Sequence, residues 1–150
     1  GGLDVAFLGL AECDSEGNVN VSKFKGRVAG VGGFMNITQT ARKVIFAGTF
    51  TAGGLEISFR EGRLKIEQEG KINKFVNHVE HVTFSGNYAR EKNQTVMYIT
   101  ERAVFELTAD GLRLTEIAPG IDVERDILSH MAFRPEISEN LRIMPGSVFA

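Results

Sequence analysis

The sequence has one cysteine, no methionine at its start, no long apolar run and no marked excess of either charge. Each absence removes a class of protein. A single thiol, Cys13, excludes an intramolecular disulfide and fits a reducing compartment, so a cytoplasmic location is expected. No apolar stretch approaches the roughly 20 residues of a membrane span, so no membrane partner is expected. A formal net charge of −2 gives no electrostatic case for binding nucleic acid or an anionic membrane surface. The opening Gly1-Gly2-Leu3-Asp4 has neither the basic segment nor the apolar core of a secretory leader, which leaves Asn36-Ile37-Thr38 and Asn93-Gln94-Thr95 as chance sequons. A strand-like run begins almost at once at Leu3, where a domain ordinarily carries a few loosely held residues. The chain is therefore expected to be a fragment of a longer polypeptide. No internal repeat or low-complexity segment occurs.

What is present suits one globular domain of 150 residues, with 43% hydrophobic and 24% charged residues, long enough to bury a single core. "LDVAFLGLAEC", Leu3 to Cys13, is nearly continuous in apolar residues and predicts a strand buried on both faces. Asp14 to Asn18 reads as a turn, and "VNVSKF" alternates as a short strand. Phe34, Ile37 and Ala41 share one side of a predicted helix over 34–42, which feeds a strand at Lys43 to Thr49. "LEISFR" and "RLKIEQEG" form a predicted hairpin around Glu61-Gly62. "TVMYITERAVFEL" divides into two strands at Glu101-Arg102, and Asp110-Gly111 closes a second hairpin with "LRLTEI". Asp122 caps a predicted helix running to about Met131, with Val123, Ile127 and Met131 on one face. The tail, "FRPEISENLRIMPGSVFA", reads as irregular. The pattern is an α/β domain with an open mixed sheet and few helices.

The chemistry-bearing candidates start with a glycine-dense loop, Gly26, Gly30, Gly32 and Gly33, immediately before the predicted helix. Gly30 and Gly32 begin a G-x-G-x-x-G pattern, but Met35 stands at its last position, and no Lys-Ser/Thr follows as in a phosphate-binding loop. Unhindered amides before a helix N-terminus suit an anion or a developing oxyanion, and the same glycines suit a tight helix–strand connection. His78 and His81, flanking Val79 and Glu80, lack the third ligand that zinc requires, and His130 lies far away in sequence; no metal site is expected. Cys13 has no local base to activate it. Ser138-Glu139-Asn140 matches three letters of a Ser-Glu-Asn-Gly loop that carries a nucleophilic glutamate in some CoA-transferases. Here Leu141 replaces the glycine, and the segment reads as a turn.

Taken in order, "GGLDVAFLGLAECDSEGNVNVSKF", "GVGGFMNITQTARKVIFAGTFTAGGLEI", "FSGNYARE" and "YITERAVFELTADGLRLTEIAPGID" resemble the C-terminal half of family I CoA-transferases, most closely the single-chain acetate/acetoacetate type. The resemblance covers nearly the whole chain and implies that residues 1–150 are a C-terminal CoA-transferase domain. It implies an open α/β sheet, one of two similar halves packed together in a homo-oligomer. The implied reaction moves CoA from a short-chain acyl-CoA to a carboxylic acid through a glutamyl-CoA thioester. CoA thioester is then a substrate, and no cofactor is permanently bound. The family's glutamate lies upstream of the stretch matching Gly1 to Asp4, so this chain alone is expected to be inactive. Gly30, Val31 and Phe34 match the loop lining the thioester end of the CoA channel, with Gly32 and Gly33 as oxyanion amides. Phe50, Thr51 and Ala52 match a strand-to-turn segment near bound CoA, where some branches carry a lysine in place of Ala52; Asn20 matches a position near the cleft. A non-catalytic CoA-fold module for binding or assembly, and an acyl-CoA hydrolase on the same scaffold, are the alternative functions.

Overall fold

The computed structural model describes residues 5–20, 41–79 and 84–144, apart from the Tyr88 side chain. Its centre is a six-stranded mixed sheet in the order β1-β4-β9-β10-β11-β12, comprising Val5–Gly9, Lys43–Ala47, Thr95–Ile99, Ala103–Thr108, Gly111–Ile117 and Glu136–Ile143. β1, β4 and β9 pair in parallel, β10 runs antiparallel to β9 and β11, and β12 joins β11 in parallel. Five strands therefore end at the same edge of the sheet, and β10 alone runs the other way.

Short strands decorate this frame. β2 (Glu12–Cys13) pairs with β3 (Val19–Asn20), β5 (Thr51–Ala52) with β8 (Ile72–Asn73), and β6 (Glu56–Arg60) with β7 (Arg63–Gln68). The β6–β7 hairpin turns at Glu61 and Gly62, with φ of 55° and 75°. Two consecutive positive φ values are what a two-residue hairpin turn of matching twist requires. One α-helix is described, α1 (Gly86–Glu91), with Ala89 buried in the core.

Most of the core packs on one face of the sheet. Phe46 stacks on Tyr98 at 5.6 Å between ring centroids and meets the edge of Phe84 at 5.0 Å. The Tyr98 hydroxyl donates to the Gly17 carbonyl at 2.7 Å, tying the Asp14–Asn18 turn over the strands. That turn closes on itself: the Asp14 carboxylate accepts from the Glu16 and Asn18 amides at 3.0 and 3.1 Å.

Three sequence expectations are corrected. Leu3 to Cys13 is not one strand buried on both faces: β1 ends at Gly9, and Phe7 is 71% exposed on the face opposite the core. Among the described residues β1 is an edge strand, paired only with β4. The helix expected from Asp122 to Met131 is a π turn, Val123–Ile127, followed by a 3₁₀ turn, Leu128–His130. Asp122 does cap it, its carboxylate accepting from the Arg125 amide at 2.8 Å. Regular helix is diverted where the Asp126 carbonyl accepts from Arg102. The tail is not irregular, because β12 runs through it and carries Ser138-Glu139-Asn140 as strand rather than turn. Most of the helix predicted over 34–42, the last four residues of "VNVSKF" and the glycine loop lie outside the described residues.

Candidate active site at the carboxyl edge of the sheet

In open α/β sheets, ligands bind outside the carboxyl ends of parallel strands, where loops diverge and backbone groups are free to point outward. Here that edge is formed by Leu10 after β1, Gly48 to Thr51 after β4, and Thr100 to Arg102 after β9. The ladder extends one step past the strands, with Leu10 N donating to Ala47 O and Gly48 N to Ile99 O, both at 3.1 Å. A Cβ on Gly48 would sit 3.1 Å from the Leu10 carbonyl oxygen and 3.2 Å from Lys74 Nζ, so the crowding favours glycine. Lys74, buried against this edge, donates to the Leu10 carbonyl at 3.0 Å. Burial lowers its pKa, and the nearby Glu101 charge acts in the opposite direction.

Behind Gly48 to Thr51 lies a charged cluster. The Arg102 side chain has no solvent exposure. Its Nε donates to Glu101, Nη1 to Glu69 Oε2 at 2.7 Å and to the Asp126 carbonyl at 2.9 Å, and Nη2 to Glu69 Oε1 at 2.9 Å. The guanidinium also lies 4.9 Å above the Phe50 ring. Both carboxylates reach onward to the end of β4. Glu101 Oε1 accepts from the Phe50 amide at 2.6 Å, and Glu69 Oε1 accepts from the Thr51 hydroxyl at 2.6 Å. Burial by itself would raise the Glu69 pKa, but hydrogen bonds from Arg102 and Thr51 hold it down at about 2. For Arg102, burial opposes the charge and the two carboxylates outweigh it, so its pKa lies above the ordinary value. His130 Nε2 stands 3.2 Å from Glu69 Oε2 at the solvent side of the cluster.

The expected site residues fall unevenly in this arrangement. Gly30, Val31, Gly32, Gly33 and Phe34 lie outside the described residues. Phe50 and Thr51 sit together at the edge, both fully buried, and Ala52 is half-buried. Asn20 is also fully buried, donating to Glu12 Oε1 at 3.2 Å beside Cys13. Cys13 bridges to Phe75, whose ring stacks 5.0 Å from that of Phe50. Asn20 and Phe50 thus belong to one packed neighbourhood, joined through Glu12, Cys13 and Phe75. The faces open to solvent at this edge are those of Gly48 and Thr49. Burial raises the Cys13 pKa well above the ordinary thiol value, so this thiol is held protonated. Among the described residues no group of three or more metal-ligating side chains occurs.

Sequence reasoning missed Glu69, Lys74, Glu101 and Arg102 as parts of the site. A signal was available in "TVMYITERAVFEL", where a charged pair interrupts two apolar strands. Read from the sequence alone, the pair marks only a break between them.

No protein-family model matches the chain. The acetate CoA-transferase YdiF of Escherichia coli K12 is 51% identical over 149 residues, which is 99% of this chain. The chain is thus homologous to a C-terminal-type part of a CoA-transferase. It spans 28% of that relative's length. The caffeate CoA-transferase of Acetobacterium woodii is 49% identical over 155 residues, covering all of this chain and 29% of the relative. Among solved structures, the acyl-CoA transferase YdiF apoenzyme from E. coli O157:H7 superposes with a TM-score of 0.93 at 50% identity, over 99% of this chain and 29% of that one. A YdiF thioester complex with CoA matches equally well. Glutaconate CoA-transferase from Acidaminococcus fermentans shares the fold, with a TM-score of 0.65 at 18% identity over 95% of this chain and 53% of that one.

Proposed function

We propose that this chain is the C-terminal domain of a transferase that moves CoA between a short-chain acyl-CoA and a carboxylic acid. The observation that carries the reading is 51% identity to an acetate CoA-transferase across 99% of the chain. The fold match to a structure described as a thioester complex with CoA supports it. In this reading, a glutamate outside these 150 residues attacks the acyl-CoA carbonyl, and CoA thiolate leaves to give a mixed anhydride. The thiolate then attacks the glutamyl carbonyl of the anhydride, releasing the first carboxylate and forming glutamyl-CoA. An acceptor carboxylate reverses the two steps. Gly32 and Gly33 offer their amides to the tetrahedral oxyanions. The carboxyl edge at Gly48 and Thr49 borders the thioester, and Phe50, Thr51, Ala52 and Asn20 shape it from behind. The rest of the polypeptide supplies the other half of the site, within a homo-oligomer in the cytoplasm.

The test uses the longer polypeptide and this chain side by side, with acetyl-CoA and a short carboxylate as substrates. Turnover is expected in the longer protein only. There, Gly33→Val should lower kcat by about 10²–10³ while KM for acyl-CoA changes far less. Turnover by the chain alone that disappears in Glu139→Ala would place the nucleophile in β12 and overturn the reading.

A further inference from the structure

We propose that Arg102 is a positioning residue for the transferase site: through Glu101 and Glu69 it fixes the Phe50 amide and the Thr51 hydroxyl at the carboxyl end of β4. The proposal rests on the transferase reading above for what is being positioned, but the clamp itself is a matter of geometry.

A guanidinium removed from water is costly unless its donors are matched. Arg102 meets that cost with two carboxylates and the Asp126 carbonyl. Replacing such a buried group by a well-packed apolar set is often neutral or favourable for stability, so stability alone gives weak grounds for the arrangement. An apolar set would lose direction. Each carboxylate is held by Arg102 on one side and grips a different atom of the β4 exit on the other. Glu101 takes the Phe50 amide, and Glu69 takes the Thr51 hydroxyl. The guanidinium also lies over the Phe50 ring, so the side chain and amide of one residue are fixed by the same cluster.

Neighbouring contacts tighten the clamp. The Gly70 amide donates to the Thr51 hydroxyl oxygen at 3.1 Å, and a Cβ on Gly70 would strike that oxygen and the Ala52 carbonyl, each at 2.5 Å. The Thr49 hydroxyl donates to the Thr51 carbonyl at 2.7 Å. Thr49 to Ala52 is therefore held by bonds from three separate segments, around Glu69, around Glu101 and within the turn itself. The exposed atoms of Gly48 and Thr49 lie immediately before the clamped pair, so a shift of Phe50 moves the surface that borders the thioester. A misplacement on the order of 1 Å in a reacting site costs about a hundredfold in rate.

The experiment compares Arg102→Lys, Thr51→Val and Thr51→Ser in the full-length enzyme. Lysine keeps the charge but cannot bridge both carboxylates; valine keeps the shape of threonine without the hydroxyl; serine restores the hydroxyl. Arg102→Lys and Thr51→Val should each lower kcat by about ten- to a hundredfold, with KM for acyl-CoA changed less than about threefold, and Thr51→Ser should recover most of the rate. Hydrogen exchange of a peptide covering 48–52 should quicken in Arg102→Lys. If Arg102→Lys does not fold, Thr51→Val and Thr51→Ser decide alone. Unchanged kcat in folded variants, or no recovery in Thr51→Ser, would overturn the proposal. A wild-type enzyme with no turnover would overturn the transferase reading and the site being positioned, while slow exchange at 48–52 would still mark the clamp.

Discussion

The Asp14–Asn18 turn and the Arg102 cluster both bury polar side chains, but they satisfy them by different means. Asp14 is 3% exposed, and it is matched by amide N–H groups from its own turn, Glu16 and Asn18 at the backbone and Asn18 again through its side chain. Every partner lies within four residues. The turn is then pinned from outside, by the Tyr98 hydroxyl on the Gly17 carbonyl and by Arg90 on the Glu16 carbonyl at 2.8 Å. In the Arg102 cluster two of the partners are full charges, and Glu69 lies 33 residues away in sequence. A local network of dipoles makes a rigid support. A distant network of charges couples three segments at the edge where ligand binding is proposed.

The largest expected effect would come from breaking the charged member. Arg102→Met leaves the half-buried Glu69 and Glu101 without their cation and should destabilise the domain by about 3–5 kcal/mol, measured by urea unfolding. A loss below about 1 kcal/mol would mean that the carboxylates find other partners and that the cluster is loosely coupled. Next comes the local network. A Cβ on Gly86 would land on the Glu16 carbonyl, which is backbone and cannot swing aside. Gly86→Ala should cost about 1–3 kcal/mol in the same assay. In the longer polypeptide, kcat should stay within about threefold of wild type, because the turn supports the fold and not the edge where reaction is proposed.

The smallest effect sharpens the contrast through pH. Glu69 has its pKa lowered from 4.5 to about 2, so it adds stability at pH values above the unfolded-state pKa. That contribution is lost as pH falls from about 4.5 to about 2. Wild-type protein should therefore lose more stability between about pH 5 and about pH 3 than Glu69→Gln, whose side chain does not titrate. Equal slopes in the two proteins would show that Glu69 is not held by Arg102 in solution.

The same contrast explains what was legible in the sequence. Asp14-Ser15-Glu16-Gly17-Asn18 could be read as a turn because all its bonds are short-range, and Glu61-Gly62 marked its hairpin for the same reason. The breaks at Glu101-Arg102 and Asp110-Gly111 also fell where strands end. β12 was missed because a strand at the edge of the described sheet needs no continuous apolar pattern, and "EISENLRI" has exposed and half-buried positions but no fully buried one. The Arg102 cluster was missed because charge pairing across 33 residues leaves no periodic trace in the chain. Phe50 and Thr51, which the resemblance implies lie near bound CoA, are buried side by side at this edge. Their burial shows that they shape this edge from inside, leaving Gly48 and Thr49 to face outward.

The most direct test of the account is hydrogen exchange of the full-length protein with and without acetyl-CoA, followed by mass spectrometry. The account predicts slower exchange in peptides spanning 48–52 and 100–103 when acetyl-CoA is present, with peptides spanning 14–18 and 86–91 unchanged. Protection of the Asp14–Asn18 turn and α1, with the carboxyl edge unaffected, would contradict it.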